Sequence, residues 1–333
     1  MIEKNIVLLF IQVINIKSIN NLFHPSTIDA SFSHNGLGLA GGIKTKDEKS
    51  GKFEWNLKGH KDRILIISLK ELKLFSELFE NGASEKSCKL VSFHANSMID
   101  ILRTLNEFPY NVSSFDYLTT TCLDETNAVK KSKVIKRDTK IPDIDKYELI
   151  YSGPHFYVSQ PIYKTPRSVC TEKGHYDIVD ITSIDESFIA RTNYVPTDED
   201  NFLQSLDSFD NKPWIDFYKL GFSKMLNLEG ERTLQGAILA PKVSHINGLI
   251  SVVFKKQSEL IEFCGLNSSI PFDFFIKTIG ASNLTDSRIK ALPIKIDSIY
   301  KPALYSRTLM LNCLNDLYRD IWEDNWSLTF AKE

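Results

Sequence analysis

Leu249-Ile250-Ser251-Val252-Val253-Phe254, then Ser258–Leu266, then Ser269-Ile270-Pro271 carry the chain from a strand into two helices. The first run is short, apolar and rich in β-branched residues, so it reads as a strand. Ser258–Leu266 reads as a helix. Ser269 can cap a second helix that has Pro271 at its first position, where a missing backbone N–H costs nothing. Upstream, Ala237–Ala240 reads as another strand. In Ile215–Leu226, residues Ile215, Tyr218, Phe222 and Met225 fall on one face at helical spacing, which predicts an amphipathic helix. Downstream, Ala303–Asp324 predicts one long helix, with Met310, Leu314, Leu317 and Ile321 as an apolar stripe. The fold class expected is α+β: mixed short sheets with packed helices and a long C-terminal amphipathic helix.

The same reading extends toward the start of the chain. Ile64–Ser68 is a β-branched strand, followed by a helix over Leu69–Phe79 with Leu72, Phe75 and Phe79 in phase. Asn96–Phe108 repeats the helical pattern through Met98, Leu102 and Leu105, and Pro109 ends it. Lys130, Lys131, Lys133, Lys136, Arg137 and Lys140 then crowd a polar stretch that predicts an exposed loop, a hairpin or a linker. Beyond it, Tyr151–Val158, Tyr157–Ile162 and Asp177–Ile181 read as strands. The expected organisation is an N-terminal α/β region over 1–150, a second domain over 151–300 and a C-terminal helix over 301–333. The apolar run Ile6–Ile14 is shorter than the ~20 residues a membrane span needs. It lacks a cleavage site, so a buried strand or short helix is expected, and no membrane association.

Composition excludes more than it assigns. The 333 residues are 42% hydrophobic and 25% charged, with a net charge of −2, which suits a globular chain and lacks the overall basic signature of a non-specific nucleic-acid binder. The average hides an asymmetry. Ala128–Lys173 holds ten Lys/Arg against five Asp/Glu, and Asp177–Asp210 one Arg against nine acids. That is either a basic face able to meet phosphate or two solvated loops of opposite sign. Five widely spaced cysteines without a C-x-x-C pair suit a reducing cytoplasm. Gly36-Leu37-Gly38-Leu39-Ala40-Gly41 has the spacing of a dinucleotide loop, but no apolar-periodic helix follows it, so a plain loop is expected. Cys170 and His175 have no second pair for zinc. Pro142-Asp143 has no Glu-x-Lys partner for a magnesium nuclease, Asp210-Asn211-Lys212 being remote.

The stretch Ser152-Gly153-Pro154-His155-Phe156 through Lys164-Thr165-Pro166-Arg167 combines aromatic rings, turn-setting Gly and Pro, and side-chain donors. Pro161 and Pro166 confine it to an edge or loop, a setting suited to contacts with phosphates and base edges. Together with Arg191-Thr192-Asn193-Tyr194-Val195-Pro196 it resembles a stretch of large type IIG-like adenine-N6 DNA methyltransferases. Glu231-Arg232-Thr233-Leu234-Gln235-Gly236-Ala237-Ile238 and Pro241-Lys242-Val243-Ser244-His245 are similar to the part that follows. Asn267-Ser268-Ser269-Ile270-Pro271-Phe272-Asp273-Phe274, Leu284-Thr285-Asp286-Ser287-Arg288 and Leu292-Pro293-Ile294 resemble the closing elements of the target-recognition domain. Arg307-Thr308-Leu309 through Ile321-Trp322 resembles the next helix. The similarity spans about Ile150–Asp324, and reaches more weakly to Asn20–His34 and Lys58-Gly59-His60-Lys61.

The resemblance implies a sequence-specific module for double-stranded DNA from a restriction–modification system, expected in the cytoplasm. Such enzymes also carry a glycine-rich cofactor loop and an N/D-P-P-Y/F motif that holds the extruded adenine. Neither occurs here, and the sequence has no Pro-Pro dipeptide. The expectation is therefore a chain separated from its catalytic half, with no catalytic residues of its own. S-adenosylmethionine would then sit on a methyltransferase domain or subunit supplied in trans. The resemblance points to His155, Lys164, Arg167, Arg191, Lys242, His245 and Arg288 as DNA contacts, and Lys130, Lys131, Lys133 and Lys136 suit non-specific phosphate contacts. The alternative is a protein-interaction remnant that binds no DNA.

Overall fold

The structure, a computed structural model, describes residues 15–19, 31, 44–55, 60–80, 82, 84–85, 87–91, 95–172 and 174–332. The run Ile6–Ile14 and the glycine loop Gly36–Gly41 lie outside the described residues. The chain divides into two compact units, 1–107 and 108–333. Ile150, where the sequence suggests a division, lies in a strand inside the second unit.

In the first unit β1 (Asn15–Ile19) pairs antiparallel with β4 (Ile64–Ser68), and β2 (Lys44–Lys46) with β3 (Phe53–Trp55). Helix α1 (Leu69–Phe79) starts at a complete capping box. The Ser68 hydroxyl accepts from Lys70 N, and the Glu71 carboxylate accepts from Ser68 N at 2.9 Å, so the helix starts directly after Ser68. Helix α2 (Ser97–Asn106) buries Ile99, Leu102 and Leu105, and Arg103 ties it to α1 through Glu71 at 2.8 Å. Both helices fall where apolar periodicity predicts them.

The second unit is built on a four-stranded antiparallel sheet. Before and around it the chain runs through β5 (Tyr110–Asn111), β6 (Tyr117–Thr120), α3 (Glu125–Lys130), β7 (Ile135–Lys140), β8 (Ile150–Tyr151), β9 (Lys164–Pro166), β10 (Tyr176–Ile178), β11 (Thr192–Pro196) and α4 (Glu199–Gln204). It continues through β12 (Ser208–Phe209), β13 (Lys212–Pro213), β14 (Lys219–Ser223), β15 (Gly236–Leu239), β16 (Ser244–His245) and β17 (Leu249–Phe254). The remainder is α5 (Gln257–Asn267), α6 (Ile270–Ile279), α7 (Asp286–Ile289), β18 (Pro293–Ile294), α8 (Lys301–Asn312) and α9 (Arg319–Asn325). The sheet order is β15-β14-β17-β6. All six residues of β17 are buried, because β14 and β6 flank it in the sheet and α5 packs on it. Helix α5 also packs on α8, and Gly265 sets that approach: a Cβ there would lie 2.6 Å from Leu304 Cδ1 and 2.7 Å from Thr308 Oγ1. Parallel pairing of β8 with β16, and antiparallel β7–β11 and β9–β10, make the sheets mixed. The α+β class with short sheets and packed helices therefore holds.

Several expected elements differ. Ile215–Leu226 is not a helix: a turn at Trp214–Asp216 leads into β14. Of the expected helical face, Ile215, Tyr218 and Phe222 are buried, as are Lys219, Leu220 and Gly221 between them, while Met225 is 71% exposed. Tertiary burial overrides the local period here. The segment expected as strand over Tyr157–Ile162 is a turn closed by a Tyr157–Gln160 bridge, and Pro154 sits in a 3-10 turn after β8.

The long terminal helix is likewise two helices. It stops at Cys313 (φ −103°, ψ 79°), and a turn at Asp316–Tyr318 precedes α9. The break is set by side chains that serve the sheet. Asn312 Oδ1 accepts from Ile238 N at 3.0 Å, and Tyr318 OH donates to Ile238 O at 2.9 Å. Ile238 lies on the edge strand β15, so two side chains do there what a fifth strand would do. The apolar stripe dissolves in consequence. Ile321 is fully buried and Met310 is exposed.

Candidate functional site

The basic stretch forms one arm of a ribbon. Asp124 caps α3 by accepting from Asn127 N, and Lys133, at φ +54°, turns the chain into β7. Strand β7 pairs with β11 from Ile135↔Pro196 to Lys140↔Thr192, with an irregularity between Thr192 and Tyr194. That irregularity places Asn193 at a hub. Its Oδ1 accepts from Thr139 Oγ1 at 3.0 Å, and its Nδ2 donates to Tyr176 OH at 2.8 Å and to Cys170 Sγ at 3.0 Å. Tyr176 OH in turn meets Ser152 Oγ at 2.7 Å. Ribbon and β9–β10 hairpin are thereby fastened to one another, and Arg191 N adds a bond to Thr165 Oγ1 at 2.9 Å.

A cleft of about 520 Å³ opens beside this network, between Gly153-Pro154, Cys170–Glu172 and Asn247-Gly248. That volume lies in the range of ligand pockets. On its wall Arg137 Nη2 donates to Glu125 Oε1 at 2.8 Å, and the guanidinium carbon lies 5.3 Å from the Tyr194 ring centroid. Tyr194 OH donates to the same Glu125 oxygen at 2.5 Å. Burial pushes the Glu125 carboxyl up, but hydrogen bonds from Tyr194 and Arg137 outweigh it and hold it below its ordinary value. The arrangement can present a fixed guanidinium to a ligand with coplanar acceptors.

Of the residues expected to touch DNA, Lys164, Arg167, Arg191 and His155 lie on or next to β9, just before β11 and on the turn fastened to them, while Lys242, His245 and Arg288 lie on other elements. His155 and His245 are fully buried, so neither ring offers a surface for a duplex to reach. The His155 ring stacks on Tyr151 at 4.8 Å and bonds Arg191 O at 2.8 Å, so it fastens the 152–156 turn to β11. His245 Nε2 meets Ser251 Oγ at 2.8 Å within the sheet core. Lys242 is at φ +61° and pairs with Asp145 at 2.6 Å. Arg288 Nη1 donates to Asn283 O at 2.8 Å, closing the turn before α7. Arg167 pairs with Asp177 across the β9–β10 hairpin at 2.9 Å, and Lys164 lies 5.1 Å from the Tyr163 ring centroid. Lys130, Lys131, Lys133 and Lys136 are exposed.

Sequence reasoning missed Arg137, Asn193, Tyr176 and Lys219 as organising residues. Lys219 is fully buried; its Nζ donates to Phe217 O at 2.8 Å, Ala240 O at 3.0 Å and Ile215 O at 3.3 Å, over the Trp214 ring at 4.8 Å. Burial pushes its pKa down to about 7.

Burial, aided by the Lys219 charge, lowers the pKa of His245 to about 3 from 6.5, and burial moves His155 in the same direction. The unfolded chain therefore binds protons that the native one refuses. The stability this gives is complete above pH 6.5 and is lost as pH falls toward 3. From pH 6.5 to 5 the expected loss from His245 is about 2 kcal/mol. Urea midpoints across that range should fall more steeply for the natural chain than for His245→Gln. Parallel slopes would show that His245 does not carry the effect.

Among the described residues no group of three or more His, Cys, Asp or Glu could hold a metal ion, and no helix is long and apolar enough to cross a membrane. No family model matches the chain, and no curated protein matches it significantly.

Proposed function

We propose that the second unit is a recognition module for double-stranded DNA that works with an adenine-N6 methyltransferase domain supplied by another chain. One observation carries the reading. The β7–β11 ribbon holds exposed Arg137 on the wall of the cleft and exposed Lys136 on its other face, the hairpin fastened to the ribbon carries exposed Arg167, and Lys130, Lys131 and Lys133 lie at the end of α3 and on the turn into β7. A ribbon edge with exposed cations can follow a phosphate backbone, while a fixed cleft gives directional contacts. The resemblance of the quoted stretches supplies the reaction class. S-adenosylmethionine belongs to the partner in this reading. Lys164, Arg167 and Arg191 remain as contacts, and His155 and His245 act as internal fasteners.

The test is binding of the full chain to a short fluorescent duplex across a salt series. Binding should weaken linearly on a log–log plot of affinity against salt. Absence of binding at low salt would overturn the proposal. It would favour the other reading, a protein-interaction remnant, for which exposed Met310, Leu311, Trp326 and Leu328 are the supporting observation.

A further inference from the structure

We infer that Arg137 is a sequence-reading residue, whose guanidinium fork meets the paired acceptors of a guanine edge at the cleft; the inference rests on the DNA-binding reading above. Three observations converge on it. The Arg137 side chain is 59% exposed yet held on two sides, by the Glu125 carboxylate at 2.8 Å and by the Tyr194 ring. Glu125 is itself fixed by Tyr194 OH. Arg137 also lines the cleft, whereas the neighbouring Lys136 is one residue along the strand and so points to the opposite face.

Charge decides between the two kinds of acceptor a guanidinium fork suits. A phosphate brought to Arg137 would also meet the Glu125 carboxylate, which repels it. A guanine edge offers N7 and O6, two coplanar acceptors without net charge, so the carboxylate opposes it far less. Glu125 then serves as a positioning residue: it engages one donor and sets the plane of the rest. Arg167 differs in its support. Both Nε and Nη2 converge on a single oxygen of Asp177, whose side chain is 58% exposed against 37% for Glu125. A pair of that kind is weakly held.

The experiment is selection of duplexes from a randomised pool by the full chain at fixed salt, repeated with Arg137→Lys and Glu125→Gln. Thermal melts establish that each variant folds. The natural chain should enrich guanine at one position. Arg137→Lys should lose that preference by roughly 5- to 150-fold while its salt slope stays unchanged. Glu125→Gln should weaken the preference at the same position and no other. Retention of the guanine preference in folded Arg137→Lys overturns the inference but leaves DNA binding intact. Equal weakening on every sequence, with the slope reduced by about one, makes Arg137 a phosphate contact and also overturns it. If the natural chain binds no duplex at all, the underlying function fails and this inference with it.

Discussion

Asp273→Ala is expected to destabilise the second unit by about 3–5 kcal/mol, the loss typical when one partner of a buried charged network is removed. Asp273 is 4% exposed, and its Oδ1 accepts from Thr233 N and Leu234 N, both at 2.7 Å. Arg232 lies 3.5 Å and Lys277 3.6 Å from its carboxylate. Alanine would leave two buried backbone donors unpaired beside two partly exposed cations. Urea denaturation at pH 7.5 measures the loss, and a change under 1 kcal/mol would show that the site reorganises around the gap. Asp273→Asn keeps an acceptor of the same shape and should cost less. Asp273 staples one stretch that carries the resemblance, Asn267–Phe274, to another, Glu231–Ile238. Those segments are held together for the integrity of the sheet edge, whatever the chain binds.

Substituting Lys130, Lys131, Lys133 and Lys136 together by alanine should lower affinity for any duplex on the order of 10³-fold at 0.15 M salt. Each neutralised phosphate contributes about fivefold under those conditions, through the counterions it releases. The log–log salt slope should shrink by about 0.9 per lysine. All four side chains are exposed, and surface changes of this kind cost little stability. Anisotropy titrations at several salt concentrations give both quantities. An unchanged slope would remove the lysines from the interface even if affinity fell.

Legibility in the sequence followed the source of each element's stability. Leu69–Phe79 and the helix over Ser258–Leu266 are readable because their burial pattern coincides with the period of their own backbone, and Leu249–Phe254 because a short, wholly apolar β-branched run suits a strand buried on both faces. Ile215–Leu226 misled because burial on both faces of β14 leaves no alternation to read, so a chance helical spacing stood out. The terminal helix was overextended for another reason: what ends it is the engagement of Asn312 and Tyr318 with Ile238, remote in sequence. At the candidate site, exposed lysines are readable from composition, whereas the resemblance that points to His155 and His245 says nothing of their depth, and both are fully buried. Lys219 inverts the same rule, since a lysine is seldom fully buried. Arg137 was visible only as one cation among several; its distinction lies in Glu125 and Tyr194, which no local window contains.

The side-chain seal on β15 bears on how this protein can be divided. Any fragment ending before Tyr318 would expose the Ile238 carbonyl, and one ending before Asn312 its N–H as well, on a strand whose four residues are all buried. An opened edge of that kind recruits the nearest strand of another molecule. Any separate production of the second unit therefore has to keep Asn312 and Tyr318 attached to β15. Chains trimmed near residue 300 should precipitate or exchange strands rather than stay monomeric.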